Sequence, residues 1–203
     1  MKKFVAAVAA FALMISLGAC GFDGHDIYKE IYKRYNNMKT FQAVAEVTVV
    51  NERTENVYVV KQLFAAPDKF LLEVLEPADI AGSGYVCKNG EFVIKSGFGH
   101  NEEVVNWSGL AHGVLFVNGF FEEYFKSEET AVNVSKNSDG GTTVLECYLS
   151  GKNEKQFMEK LWIDNKTFLP VRMETYGINK ELVLKVEFKE FERDCQFDES
   201  EFR

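Results

Sequence analysis

The chain has 203 residues, and 23 Lys and Arg against 31 Asp and Glu give it a formal net charge of −8. With 46% hydrophobic residues and only 3 Pro it has apolar material for one domain with a core, which excludes low-complexity disorder. The acidic balance, with no basic run after Lys2-Lys3, excludes the phosphate-neutralising footprint of a nucleic-acid binder.

Lys2 and Lys3 make a positive start, Phe4 to Ile15 an apolar stretch, and Leu17-Gly18-Ala19 the small residues before a cleavage point. Residues 1–19 therefore predict a secretory signal peptide. A spanning helix needs about 20 apolar residues, and Cys20-Gly21-Phe22-Asp23 stops this one short. Leu17-Gly18-Ala19-Cys20 resembles the bacterial lipobox. That resemblance implies cleavage between Ala19 and Cys20 and a diacylglyceryl thioether on Cys20, with residues 20–24 as lipidated cysteine and short tether and 25–203 as the domain. No other cofactor is expected. Losing Lys2 and Lys3 makes the mature chain still more acidic, so acyl chains, not headgroup attraction to the whole body, have to anchor it. The expected address is the extracytoplasmic face of a bacterial membrane, with the spore membrane one candidate.

Cys87, Cys147 and Cys195 remain, and an odd number allows at most one disulfide. Cys147 alternates with Leu145 and Leu149, which places it on an apolar strand face as a small hydrophobe. There is no CxxC, and His25, His100 and His112 lack ligand spacing, so no metal site is expected.

After the tether, Asp26 is expected to cap a helix whose apolar positions Ile27, Ile31, Tyr35 and Met38 recur at helical spacing. From Phe41 the period becomes two, with Phe41, Ala43, Ala45, Val47 and Val49 on one face of a long strand. Strands are predicted over 57–64, 70–75, 85–88 and 91–95, the last two joined by Asn89-Gly90, a strong hairpin signal. Residues 96–113 read as a Gly-containing loop, and 114–126 as a second helix. Strands resume over 130–136, 142–149, 157–163, 170–176 and 181–191. In the last of these Leu182, Leu184, Val186 and Phe188 oppose Lys185, Glu187 and Lys189. The fold class is mainly β (α+β): a curved antiparallel sheet or open half-barrel of about ten strands, with an N-terminal helix and a second helix packed on the concave face.

Catalytic signals are weak. Gly82-Ser83-Gly84 lacks the GxSxG of a nucleophile elbow, since Ala81 stands where its first Gly belongs, and reads as a strand entrance. No Walker A or GxGxxG spacing occurs. Glu102-Glu103, Glu122-Glu123 and Glu128-Glu129 read as solvated acids, not as a glycosidase pair. No catalytic residue is assigned. The feature most open to a functional reading is aromatic: Trp107, Leu110, Phe116, Phe120, Phe121, Tyr124 and Phe125 form a candidate binding patch. The competing reading is that this helix plugs the concave face.

The order Met38-Lys39-Thr40-Phe41, Pro67-Asp68-Lys69-Phe70, Asn89-Gly90, Leu161-Trp162-Ile163-Asp164, Leu169-Pro170, Phe188 and Phe191 resembles the LolA/LolB superfamily of lipoprotein carriers over residues 27–202. Leu115-Phe116 to Lys126-Ser127-Glu128-Glu129 and the lipobox are most similar to its clostridial germination-lipoprotein (GerS) branch. That branch implies a non-enzymatic, membrane-anchored protein partner in spore germination, supporting the zinc-dependent N-acetylmuramoyl-L-alanine amidase that modifies the cortex. The superfamily implies the alternative, a lipid or lipoprotein carrier or receptor with an acyl chain as ligand. The lipid anchor excludes a free shuttle. A homodimer is a further expected assembly.

Overall fold

The computed structural model describes residues 24–88, 91–97, 102–105, 115–135 and 140–202. In chain order these form α1 (Gly24–Asn36), β1 (Thr40–Val50), β2 (Glu55–Ala65), β3 (Lys69–Glu76), β4 (Gly84–Lys88), β5 (Glu91–Lys95), β6 (Glu102–Val105), α2 (Val117–Lys126), β7 (Thr130–Ser135), β8 (Thr142–Asn153), β9 (Gln156–Asp164), β10 (Pro170–Tyr176) and β11 (Leu182–Arg193), then a 3-10 turn at Glu199–Glu201. The strands make one sheet in the order β6-β5-β4-β3-β2-β1-β11-β10-β9-β8-β7. Two antiparallel meanders, β1 to β6 and β7 to β11, meet where β1 pairs with β11.

This is the expected open antiparallel sheet with two helices. It gains an eleventh strand, because Glu102–Val105 pairs with β5 inside the stretch expected to be a loop. Two adjacent glutamates before two valines give no alternation, and pairing with β5 supplies what periodicity does not. Asp26 does not cap α1. The helix already includes Gly24, so Asp26 sits in its first turn, where its charge faces the positive end of the helix dipole.

Curvature follows from what α2 touches. At one end Phe116 packs on Phe70 of β3, with ring centroids 5.4 Å apart. At the other, α2 meets β8. Those strands are six steps apart in the sheet, about 29 Å if it were flat. The helix between the two contacts rises only about 12 Å. The sheet therefore wraps around α2.

Register sets the inner face. Phe41 lies opposite Phe64, which lies opposite Phe70, and on the other side Val47 lies opposite Val186 and Val186 opposite Met173. A bulge between Val44 and Ala45 in the β1–β11 pairing lets Phe188 and Phe191, three residues apart, both face inward. Phe191 then stacks on Phe41 with centroids 4.9 Å apart. The outer face of β8 to β11 is polar, with Lys160 3.0 Å from Glu146, Arg172 3.2 Å from Glu174 and Lys185 3.0 Å from Glu187. Pairs open to solvent on at least one side, such as Lys185 with Glu187, stabilise by about 1 kcal/mol or less.

The chain after β11 has a function in the fold that its sequence does not announce. It crosses to the outer face of β2 to β4, where Phe202 packs with Leu63, Leu71 and Val86, and Phe197 meets Phe202 edge to face at 5.6 Å. The turn is capped in both directions. Asp198 Oδ1 accepts from Ser200 N at 2.8 Å, and Glu201 Oε1 accepts from Asp198 N at 3.1 Å.

Two stability measurements test this arrangement. Val186→Asp, which puts a charge at a fully buried inner position, is expected to cost several kcal/mol and abolish cooperative melting. Lys185→Thr, one residue away on the outer face, is expected to cost about 1 kcal/mol or less. Equal thermal shifts would reject the register. In denaturant unfolding, Phe202→Ala is expected to cost about 3 kcal/mol, and an unchanged midpoint would show that the C-terminal strap contributes nothing.

Candidate functional site

The inside of the half-barrel is organised by α2. Phe116, Phe120, Phe121 and Tyr124 are each less than 5% exposed. Phe120 stacks on Tyr124 at 5.7 Å, and Phe121 stacks on Tyr35 of α1 at 4.5 Å and 15°. As an exposed patch, the expectation is corrected for these four residues, because the wrapped sheet closes over them and they fill its concavity. Of the described candidates only Phe125 reaches solvent, at 39% exposure, in edge contact with Tyr32 of α1. Trp107 and Leu110 lie outside the described residues, as do Ala19 and Cys20.

Three buried polar contacts fix the helices on the sheet. Gln62, fully buried on β2, donates from Nε2 to the Leu115 carbonyl at 3.0 Å and so holds the entry to α2. Tyr35 donates from its hydroxyl to the Phe168 carbonyl at 2.8 Å, tying α1 to the β9–β10 turn. The Tyr124 phenol, raised above its usual range first by burial, shares hydrogen bonds with Tyr28 and Thr130. Asn118, in the first turn of α2, has both side-chain polar atoms buried with no partner among the described residues.

Glu159 is the unexpected member of this interior. It lies on the inner face of β9, 1% exposed, between Cys147 of β8 and Thr175 of β10 in register. Thr175 donates from Oγ1 to Glu159 Oε1 at 3.2 Å, while Oε2 has no partner among the described residues. Burial pushes the carboxyl up to about 8; the Thr175 hydrogen bond opposes that rise and the charge of Glu123 on α2 adds to it. The shift favours the protonated carboxyl. The Cys147 thiol beside it is also raised, by burial first and then by the Glu159 charge, so it is an inert thiol. Cys87, Cys147 and Cys195 are all unpaired.

What α2 leaves uncovered is an apolar groove of about 350 Å³. Val47, Val60, Leu72, Val74, Leu115 and Leu184 supply much of its lining, with Tyr58 and Gln156. It falls near the lower end of the size range of ligand pockets. Alternation in β1 and β11 predicts Val47 and Leu184 as inward-facing, but nothing local in the sequence shows that α2 stops short of them.

Gly82-Ser83-Gly84 holds backbones together. Ser83 Oγ accepts from Gly97 N at 2.8 Å, and a Cβ on Gly84 would fall 1.9 Å from the Leu72 carbonyl oxygen. Among the described residues no three His, Cys, Asp or Glu side chains converge as metal ligands, and no helix is long and apolar enough to cross a membrane.

Compared with known families, residues 1–202 match the model described as sporulation protein YdcC-like. The chain belongs to the YdcC-like sporulation protein family. Among solved structures it is similar to the complex of the CwlD amidase from Clostridioides difficile with the GerS lipoprotein, at 23% identity and a TM-score of 0.51 over 90% of this chain and 100% of that one. A putative outer membrane lipoprotein-sorting protein domain from Vibrio parahaemolyticus matches at 14% identity and 0.50, covering 89% of this chain and 97% of its own. An uncharacterised conserved protein from Thermus thermophilus matches at 12% and 0.55, covering 88% and 91%. No curated protein sequence matches. At these identities the likeness is one of fold, shared with the GerS and lipoprotein-sorting domain structures.

The buried carboxyl makes a test of pH dependence. Its folded pKa, about 8, lies above the ordinary value of 4.5, so its contribution to stability is fully present below about 4.5 and lost as pH rises through about 8. Wild type is expected to lose stability across that window, and Glu159→Gln to flatten the loss, as read by denaturant midpoints from pH 5 to 9. Parallel curves for the two proteins would show Glu159 ionised in the fold.

Proposed function

We propose that this YdcC-like protein is a lipid-anchored, non-enzymatic partner of a cortex-modifying N-acetylmuramoyl-L-alanine amidase, held by Cys20 at the extracytoplasmic face of a membrane in sporulating cells. The observation that carries this reading is the correspondence of the fold with the whole of GerS, a lipoprotein whose structure was solved in complex with the CwlD amidase. Membership of a sporulation family supports the cellular setting. The filled concavity supports a protein partner, because aromatic side chains of α2 occupy most of the space a carried ligand would need.

The groove favours a second reading. A lining of mainly aliphatic side chains, open to solvent at about 350 Å³, suits part of an acyl chain, each buried methylene of which contributes about 0.8 kcal/mol. On that reading the protein is a stationary lipid or lipoprotein receptor.

One purification separates the two. Full-length protein taken from membranes of sporulating cells is expected to bring down the amidase of the same genome in stoichiometric amount, and calorimetry with the purified amidase to give a Kd of micromolar or tighter. Stoichiometric acyl chains in the mass spectrum with no amidase bound would overturn the partner reading in favour of the receptor.

A further inference from the structure

The Cys20 anchor, which belongs to the reading just proposed, restricts how the domain can sit. Only four chain steps separate Cys20 from Gly24, where α1 is already formed, so the lipidated residue lies within about 14 Å of the helix start. A domain tethered that closely cannot turn an arbitrary side to the bilayer.

The surface that begins at the tether has a consistent character. Ile27, Ile31 and Tyr35 face the core, and His25, Lys29, Tyr32, Lys33 and Asn36 form the exposed stripe on the opposite side of α1. Tyr32 is 44% exposed and about 12 Å along the helix from Gly24. Its ring meets that of Phe125, 39% exposed, at 5.1 Å and 67°, so two helices present one aromatic pair to solvent. Exposed Lys126 follows Phe125. The acids nearby are Asp26 in the first turn, Glu30 paired with Arg34 at 2.6 Å, exposed Glu122 one turn before Phe125, and exposed Glu128 and Glu129 just after Lys126. Aromatic rings with lysines beside them suit the headgroup region, where the rings reach the acyl boundary and the ammonium groups stay with phosphate.

We propose that the Tyr32–Phe125 pair, flanked by Lys29, Lys33 and Lys126, rests on the headgroups of the membrane that carries the Cys20 anchor. The side brought down by the tether carries lysines and acids together around its aromatic pair, so the rings and the tether, not net charge, have to hold it on the headgroups. Docking there leaves the other ends of the strands, including the β10–β11 turn with Ile178, pointing away from the membrane.

The test uses full-length protein in bacterial membranes, with p-benzoylphenylalanine placed at position 32, 125 or 178 and the diacylglyceryl modification of Cys20 verified by intact mass. Irradiation is expected to give phospholipid adducts at positions 32 and 125 at least fivefold more often than at position 178, where the wild-type Ile178 is 52% exposed. Lys29→Glu with Lys33→Glu is expected to lower the yield at position 125 by at least threefold while the protein stays lipidated. Equal lipid yields at the three positions, or adducts at position 125 to another protein instead of lipid, would overturn the docking. An unmodified Cys20 would overturn the anchor itself, and the intact mass distinguishes that result from a lipidated protein that does not dock.

Discussion

An open antiparallel sheet has two free edges and an inner face that nothing in its own strands covers. Here the constraint is met by the aromatic ridge of α2. Phe116 reaches β3, Phe121 stacks on Tyr35 of α1, and Tyr124 faces β7 and β8. Aromatic pairs of this kind add about 0.5–1.5 kcal/mol each beyond the area they bury. The curvature of the sheet, the seat of α1 and the size of the remaining groove all depend on where this ridge stops. Its start is set by the one hydrogen bond from Gln62 to Leu115, on the margin of the groove. A shift of α2 by one turn would change how much of the concavity is open.

The polar interior is sparse and placed where elements meet. Gln62 joins β2 to α2, and Glu159 with Thr175 joins β9 to β10 under α2. A protonated carboxyl with one oxygen unpaired costs stability relative to an aliphatic side chain.

Much of the fold was legible in residue order. The period-two pattern of β1 and of β11 placed Val47 and Val186 inside, and Asn89-Gly90 announced the hairpin whose strands pair from Lys88 and Glu91 outward. Strand β6 was not legible, since a four-residue strand with two leading acids takes its conformation from its neighbour. The outer-face packing of Phe202 was equally silent, as a lone aromatic near a terminus has no period to read. For the helix at 114–126 the sequence left an exposed patch and a plug as competing readings, and the burial of Phe116, Phe120, Phe121 and Tyr124 favours the plug. A helix apolar on more than one side looks the same in sequence whether a partner covers its second side or the chain's own sheet curves around to do so. Glu159 stands beside Lys160 as one of two adjacent charges in β9, and only the pairing with Cys147 and Thr175 shows that it points inward.

The seam between the two meanders has a kinetic side. Phe41, at the start of the first strand, pairs with Arg193, at the end of the last, and every other strand contact joins near neighbours in the sequence. Hairpins form in microseconds, whereas a pairing across nearly the whole chain carries the loop-closure cost that slows folding. Until β11 arrives, β1 keeps one edge open and the inner face of each half lacks the other half. The domain is therefore completed by its final strand, and a chain interrupted just before residue 182 would hold two sets of hairpins with no strand pairing between them.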